Sequence, residues 1–167
     1  LPYVQEGYLK GVEHLSSLHV EGESINYSGL LQNQRNLESL YLKTDYVSSY
    51  FSDMFFATSE LSNNSKVPST LNTVIIDTNI IPVSYFEKIR GIENIYLQQV
   101  TLVEKDAFKE TTGLKMVYIP KTLKAEKSLL TDLSDAGVKV LFESEKEVKY
   151  NGEKETGVLF EDLYESL

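Results

Sequence analysis

The sequence contains no cysteine and no apolar run long enough to cross a bilayer. Without cysteine there is no disulfide, no thiolate nucleophile and no zinc site built on sulfur. A transmembrane helix needs about 18 or more consecutive apolar residues, so we expect no direct membrane insertion by this chain. The G-x-S-x-G motif, the P-loop and the dinucleotide-binding glycine motif are also missing. These absences favour a protein that is not an enzyme.

Positive charge is scarce as well, since 16 basic residues face 25 acidic ones and the net charge is −9. Nucleic-acid binding depends on neutralising phosphates with Lys and Arg, and no dense basic cluster occurs. We therefore predict no nucleic-acid partner. The two histidines, His14 and His19, are five residues apart and fall on opposite faces of a strand, so no shared metal is predicted. No cofactor is predicted either.

What the sequence does contain is a repeated pattern, best seen in Leu114-x-x-Val117-x-Ile119. The same spacing of apolar residues begins at Leu15, Leu37, Leu71 and Ile92, and a weaker sixth copy begins at Asp135 with Val138 and Val140. The steps between the first positions are 22, 34, 21, 22 and 21 residues. Self-similarity at a fixed period of this size is typical of repeat architectures.

A second apolar position precedes each copy by six residues, at Leu9, Leu31, Phe86, Phe108 and Leu129. The 34-residue step lacks a clean counterpart, and we predict that 50–56 supplies it. The extra residues are assigned to a polar loop insertion near 57–69. A third apolar column follows the first position by about ten residues, at Ile25, Val47, Ile81, Leu102 and Leu123.

These periodicities predict an α/β fold. Alternating apolar residues place two side chains of each copy on one face of a short strand, and the preceding apolar pair fits a turn of α or 3-10 helix that packs back on the core. One unit of 21–22 residues cannot bury both faces alone, so about six units are expected to stack into a solenoid with one parallel sheet.

The pattern resembles the leucine-rich repeat family, whose L-x-x-L-x-L-x-x-N-x-L signature is matched by "LNTVIIDTNII", residues 71–81. The stretch "DAFKETTGLKMVYIPKTL" is similar to the BspA-like subclass, which is found largely in bacterial surface proteins. The resemblance implies a leucine-rich-repeat solenoid with the sheet on its concave face. It also implies a secreted or cell-surface location and a binding role without a shared catalytic site.

Two regions are predicted along the chain. The repeat array occupies 1–142, and a C-terminal cap occupies 143–167. Asn151-Gly152 between strand-like residues is a hairpin signal, and 159–167 has the apolar spacing of an amphipathic helix. Such a cap would cover the exposed end of the sheet; a linker to another domain is the alternative.

In a leucine-rich repeat, the side chain between the two strand leucines points out of the concave face. That column is expected to contain His19, Tyr41, Ile75, Tyr96, Tyr118 and Lys139. The candidate ligand-binding residues are His19, Tyr41, Asn94, Tyr96, Gln98 and Tyr118. Tyrosine provides rigid contact area in recognition surfaces, but tyrosines in register on neighbouring strands also stabilise a sheet by packing. Both explanations stay open, and replacing Tyr96 and Tyr118 by alanine is expected to abolish binding while preserving the fold.

The sequence thus predicts a non-catalytic binding or adhesion module of an exported or surface protein, with a protein or a glycan as its partner. Two alternatives are a structural spacer without a ligand and a carbohydrate-active enzyme on a solenoid. The lack of a carboxylate cluster in the strand columns argues against the enzyme. A glycan and protein array would separate the first two.

Overall fold

A computed structural model describes residues 3–4, 14–25, 30–31, 34–47, 50–55, 67–124, 126–143, 148–150 and 153–155. In these ranges the chain forms twelve strands, one 3-10 helix and one α-helix. The strands are β1 (Tyr3–Val4), β2 (Ser17–Gly22), β3 (Ser24–Ile25), β4 (Ser39–Thr44), β5 (Thr73–Asp77), β6 (Ile80–Ile81), β7 (Asn94–Gln98), β8 (Leu102–Val103), β9 (Met116–Ile119), β10 (Lys139–Phe142), β11 (Val148–Tyr150) and β12 (Glu153–Glu155). The 3-10 helix spans Phe51–Phe55 and the α-helix, α1, spans Lys127–Asp135.

Six of these strands form one parallel sheet in the order β2-β4-β5-β7-β9-β10. Each strand pairs with the next long strand along the chain, and β2 and β10 lie at its two edges, so the sheet is not closed. Shorter strands form two parallel pairs, β1 with β3 and β6 with β8. The predicted α/β class with a parallel sheet is confirmed.

The pairing register agrees with the sequence pattern over five strands. Leu18, Leu40, Val74, Ile95 and Val117 are aligned across the sheet, and all are apolar residues at the same position of the predicted unit. Their backbones therefore follow the predicted steps of 22, 34, 21 and 22 residues.

The sixth strand is aligned differently from the prediction. Val140 pairs with Val117 and Phe142 with Ile119, so the last step is 23 residues and the copy begins at Gly137, not Asp135. Asp135 is instead the last residue of α1. Gly137 then adopts a left-handed φ of 73° and donates its N–H to the carbonyl of Ser134, which is how helices commonly end. The helix and its end use two residues that the sequence pattern assigned to the strand.

The main core lies on one face of the sheet, because every second strand residue is apolar and points to that side. Leu40, Leu42, Val74, Ile76, Ile95, Leu97, Val117, Ile119, Val140 and Phe142 are almost fully buried there. Buried residues of the segments that connect the strands complete this core.

The connecting segments were predicted to be short helical turns, and this holds for the 3-10 helix and for α1. The segments 83–88 and 105–110 are turns instead, with left-handed backbone at Ser84, Lys88, Asp106 and Glu110. These positions recur 22 residues apart, and the two turns are hydrogen-bonded, with Phe86 N–H donating to Ala107 O at 2.7 Å. Left-handed residues interrupt helical φ/ψ, which explains why no helix forms.

A row of aromatic rings runs through these segments on the core side. The ring centroids of Phe51 and Phe86 are 5.4 Å apart, and those of Phe86 and Phe108 are 5.2 Å apart. Phe51 N–H also donates to the carbonyl of Tyr85. The prediction that 50–56 supplies the missing apolar pair is therefore confirmed at Phe51; residues 56–66 lie outside the described residues, including most of the predicted insertion at 57–69.

The third apolar column needs one correction. Ile81 pairs with Val103 and not with Leu102, which is 41% exposed. The chain between β7 and β8 is one residue longer than the chain between β5 and β6, and Gln99 in it adopts a left-handed φ of 59°. That extra residue shifts the alternation by one and turns Leu102 outward.

At the C-terminal end, β11 and β12 pair antiparallel, with Tyr150 opposite Glu153. This pairing agrees with the hairpin predicted from Asn151-Gly152. The predicted amphipathic helix over 159–167 lies outside the described residues.

Candidate functional site

The second face of the sheet, opposite the main core, carries the residues that lie between the core positions of each strand. We call it the tyrosine face and define it by His19, Tyr41, Ile75, Tyr96, Tyr118 and Leu141. The sequence pattern placed Lys139 in the sixth position, which was wrong, because the two-residue difference in register puts Leu141 beside Tyr118. Lys139 lies beside Met116.

One half of the tyrosine face is closed by packing. Ile75, Tyr96 and Tyr118 form a buried cluster, and Tyr41, Met116 and Leu141 pack against it. The Tyr96 and Tyr118 rings are stacked with centroids 4.0 Å apart and planes at 6°, and they are 3% and 6% exposed. Burial raises the pKa of Tyr96, and its hydrogen bond with Tyr118 raises it further. These two rings offer little surface to a ligand.

The other half contains an open cleft of about 570 Å³ across β2, β4 and β5. His19 and Tyr41 line it, with ring centroids 4.2 Å apart and planes at 74°. The His19 side chain is 54% exposed. The remaining lining residues are mainly small or polar: Ser17, Leu18, Glu38, Ser39, Leu40, Asn72, Thr73 and Ile75.

Tyr41 is held in place from the side of the cleft that faces the strand ends. Its hydroxyl lies 3.1 Å from Gln98 Oε1 and 3.4 Å from Asp77 Oδ2, and it donates to these acceptors. Burial, the Asp77 charge and hydrogen bond, and the Glu21 charge raise the pKa of Tyr41 to about 12. Burial also raises the pKa of Asp77, against the opposing effects of Lys43 and the Tyr41 hydrogen bond. Tyr41 is therefore a neutral, oriented ring at ordinary pH.

A charged rim follows the cleft at the carboxyl ends of the strands. Glu21 pairs with Lys43 at 3.3 Å and approaches His19 Nε2 at 3.7 Å. These side chains are about half exposed, so the pairs contribute little to stability. They place charge of both signs next to the His19 ring.

No metal site accompanies these groups in the part of the chain that the structure describes, since no three His, Asp or Glu side chains converge there. His14 Nδ1 lies 3.5 Å from Asn36 Nδ2 and does not meet His19. The absence of a shared histidine site was predicted from the five-residue spacing.

The six candidate residues from the sequence are thus divided. His19 and Tyr41 line the cleft, Gln98 orients Tyr41, and Tyr96 and Tyr118 are packed together. Asn94 is half-buried on β7, between Thr73 and Met116 in register.

Sequence reasoning missed the polar lining of the cleft, above all Ser17, Ser39 and Asn72. Ser39 Oγ donates to Ser17 Oγ at 3.0 Å. A signal was present, because small polar residues recur two positions before the central column in the first three strands. The cleft combines an aromatic edge with neutral hydrogen-bonding groups, an arrangement suited to binding a polar ligand.

The raised pKa of Tyr41 can be tested by titration. Tyr41 should ionise near pH 12, against an ordinary value of 10.0. Since the unfolded chain loses this proton first, the stability contributed by neutral Tyr41 is complete below pH 10 and is lost as the pH rises through 12. The ultraviolet difference between the wild type and Tyr41→Phe isolates this one tyrosine from the other ten.

Asp77→Asn serves as the companion variant for that titration. It should lower the pKa of Tyr41 by removing a charge and a charged acceptor, yet keep it above 10.0 because burial is the larger cause. An unperturbed Tyr41 in the wild type would show that the hydroxyl is solvated and that the network with Asp77 does not form.

Within the described residues, no helix has the length and apolarity that crossing a membrane requires. Comparison with protein-family models, with curated proteins and with solved structures finds no match to this chain.

Proposed function

We propose that the chain is a leucine-rich-repeat solenoid of the BspA-like type whose tyrosine face is concave. Support comes from the five-strand register, which follows the periodic pattern, and from the turns 83–88 and 105–110, which are hydrogen-bonded at a 22-residue offset. Because each unit buries its apolar residues against its neighbours, stacking of such units accounts for both observations.

The function that this geometry favours is a non-catalytic binding or adhesion module of an exported or cell-surface protein. The observation that carries the proposal is the cleft beside His19 and Tyr41, in which an exposed ring and an oriented tyrosine are surrounded by hydroxyl and amide groups. Aromatic rings with adjacent hydrogen-bonding groups suit both peptide and sugar ligands. The proposed partner is accordingly a protein or a glycan.

Binding is expected to depend on His19. A glycan array and a protein array, each probed with the labelled chain, should give ligands in one of the two classes. His19→Ala should then weaken binding about tenfold, as the loss of a central contact residue does. Because the side chain is 54% exposed, the melting temperature should change little. Affinity measured by calorimetry checks the first expectation and a thermal melt the second.

Lys139→Ala is the matched control, since Lys139 is exposed on the same face at the opposite edge of the sheet. Its affinity should equal that of the wild type. Equal losses in both variants, or unchanged affinity in His19→Ala, would remove the cleft as the binding site.

A structural spacer is the second candidate, and the closed half of the tyrosine face favours it. A buried, parallel pair of rings at 4.0 Å is an arrangement that stabilises a sheet without any ligand. Under this alternative both arrays stay empty, and substitutions at Tyr96 and Tyr118 change stability alone.

A further inference from the structure

A second concave surface lies away from the cleft, between β8 and α1. This groove has a volume of about 500 Å³ and shares no lining residue with the cleft. We define it by Val83, residues 102–108, and Glu126, Ser128, Leu129 and Asp132. It is formed by connecting segments and a helix, not by the six-stranded sheet.

The groove is apolar in a place where most of the described surface is polar. Val83 is 52% exposed and Leu102 is 41% exposed, and both line it. The register partner of Leu102, Ile80, is exposed too. Three of the four exposed large hydrophobic side chains among the described residues thus belong to these neighbouring segments. Adjacent exposed apolar side chains mark interaction sites more often than scattered ones do.

The rim of the groove is acidic. Four carboxylates line it, those of Glu104, Asp106, Glu126 and Asp132, against a single lysine, Lys105. Glu104 accepts a hydrogen bond from the backbone N–H of Val83. Glu126 and Asp132 take part in no ion pair within the described residues. Their charges are therefore available to an incoming cation.

We propose that this groove docks a basic, apolar peptide segment of another protein. Apolar side chains of the segment cover Val83 and Leu102, and its Lys or Arg side chains pair with Glu126 and Asp132. A second copy of this chain fits less well, because its net charge is −9 and like charges oppose association.

The test uses the full, isotope-labelled chain at low ionic strength and three short synthetic peptides. In the first peptide leucine alternates with lysine, in the second leucine alternates with glutamate, and in the third serine alternates with lysine. The leucine–lysine peptide should shift the amide resonances of 102–108 and 126–132, whereas the other two should bind about tenfold more weakly or not at all, since each lacks one half of the complementarity.

Two variants connect this binding to the groove. Val83→Ser with Leu102→Ser, and separately Glu126→Gln with Asp132→Asn, should each weaken the leucine–lysine peptide about fivefold to tenfold. The matched control, Glu23→Gln with Asp45→Asn, removes the same charge from exposed positions elsewhere and should leave the affinity unchanged.

Three results would overturn the proposal. Equal weakening in the control pair, or equal affinity for the serine–lysine peptide, would show that attraction to the overall negative charge accounts for binding. Tight binding of the leucine–glutamate peptide would exclude charge complementarity. A dimer of the chain that is lost in Val83→Ser with Leu102→Ser would identify a second copy as the occupant.

Discussion

Replacing Phe86 by alanine is expected to lower the free energy of unfolding by about 3–5 kcal/mol. Its side chain is fully buried and contacts the rings of Phe51, Tyr85 and Phe108, with centroids 4.8–5.4 Å away. The substitution leaves a cavity in a row that joins three successive connecting segments, and the segments cannot collapse into it without breaking the hydrogen bonds between them. Urea denaturation followed by circular dichroism measures the effect.

Val83→Ala is the control for Phe86→Ala, because Val83 lies three residues earlier in the same turn and is 52% exposed. Its free energy of unfolding should stay within about 0.5 kcal/mol of the wild type. A Phe86→Ala variant as stable as Val83→Ala would mean that the aromatic row does not form the core of these segments.

The second large effect concerns the stacked pair on the tyrosine face. Tyr96→Ala should destabilise the chain by about 3 kcal/mol or more, because a ring that is 3% exposed and stacked at 4.0 Å is removed. Tyr118→Ala should cost a similar amount. The double variant should cost less than the sum, with a coupling energy of about 0.5–1.5 kcal/mol between the rings. The four denaturation midpoints of this cycle give the result.

Tyr46→Ala provides the comparison for the pair, since Tyr46 is 60% exposed. It should be nearly neutral. Coupling near zero between Tyr96 and Tyr118, together with stabilities equal to that of Tyr46→Ala, would return these rings to the list of exposed ligand contacts. The sequence pattern had predicted that alanine at both positions preserves the fold, and their burial predicts the opposite.

This difference has a functional consequence. Loss of binding after Tyr96→Ala or Tyr118→Ala would reflect unfolding as much as loss of contact. His19 and Tyr41 are better positions for testing recognition, because they line the open cleft and His19 is more than half exposed. The buried stack and the cleft therefore divide one sheet face into a stabilising half and a candidate binding half.

Much of the fold could be predicted from the amino-acid sequence because it depends on local alternation. Leu40 and Leu42 point to one side of β4 and Tyr41 to the other, whichever strand lies next to them. Repetition of that alternation at steps of 21–22 residues was sufficient to align five strands and to assign the core face. The matching aromatic position at Phe51 was found in the same way.

Other features depend on how neighbouring segments pack, and these required the tertiary structure. The length of α1 and the turn at Gly137 decided the register of β10, and the extra residue near Gln99 decided that Val103, not Leu102, pairs with Ile81. Burial of Tyr96 and Tyr118 arises from side chains on adjacent strands. Exposure of His19 reflects its place on β2, which has one partner strand in this sheet. Alternation specifies the side of the sheet to which a residue points, and only packing against other residues determines whether that side is open.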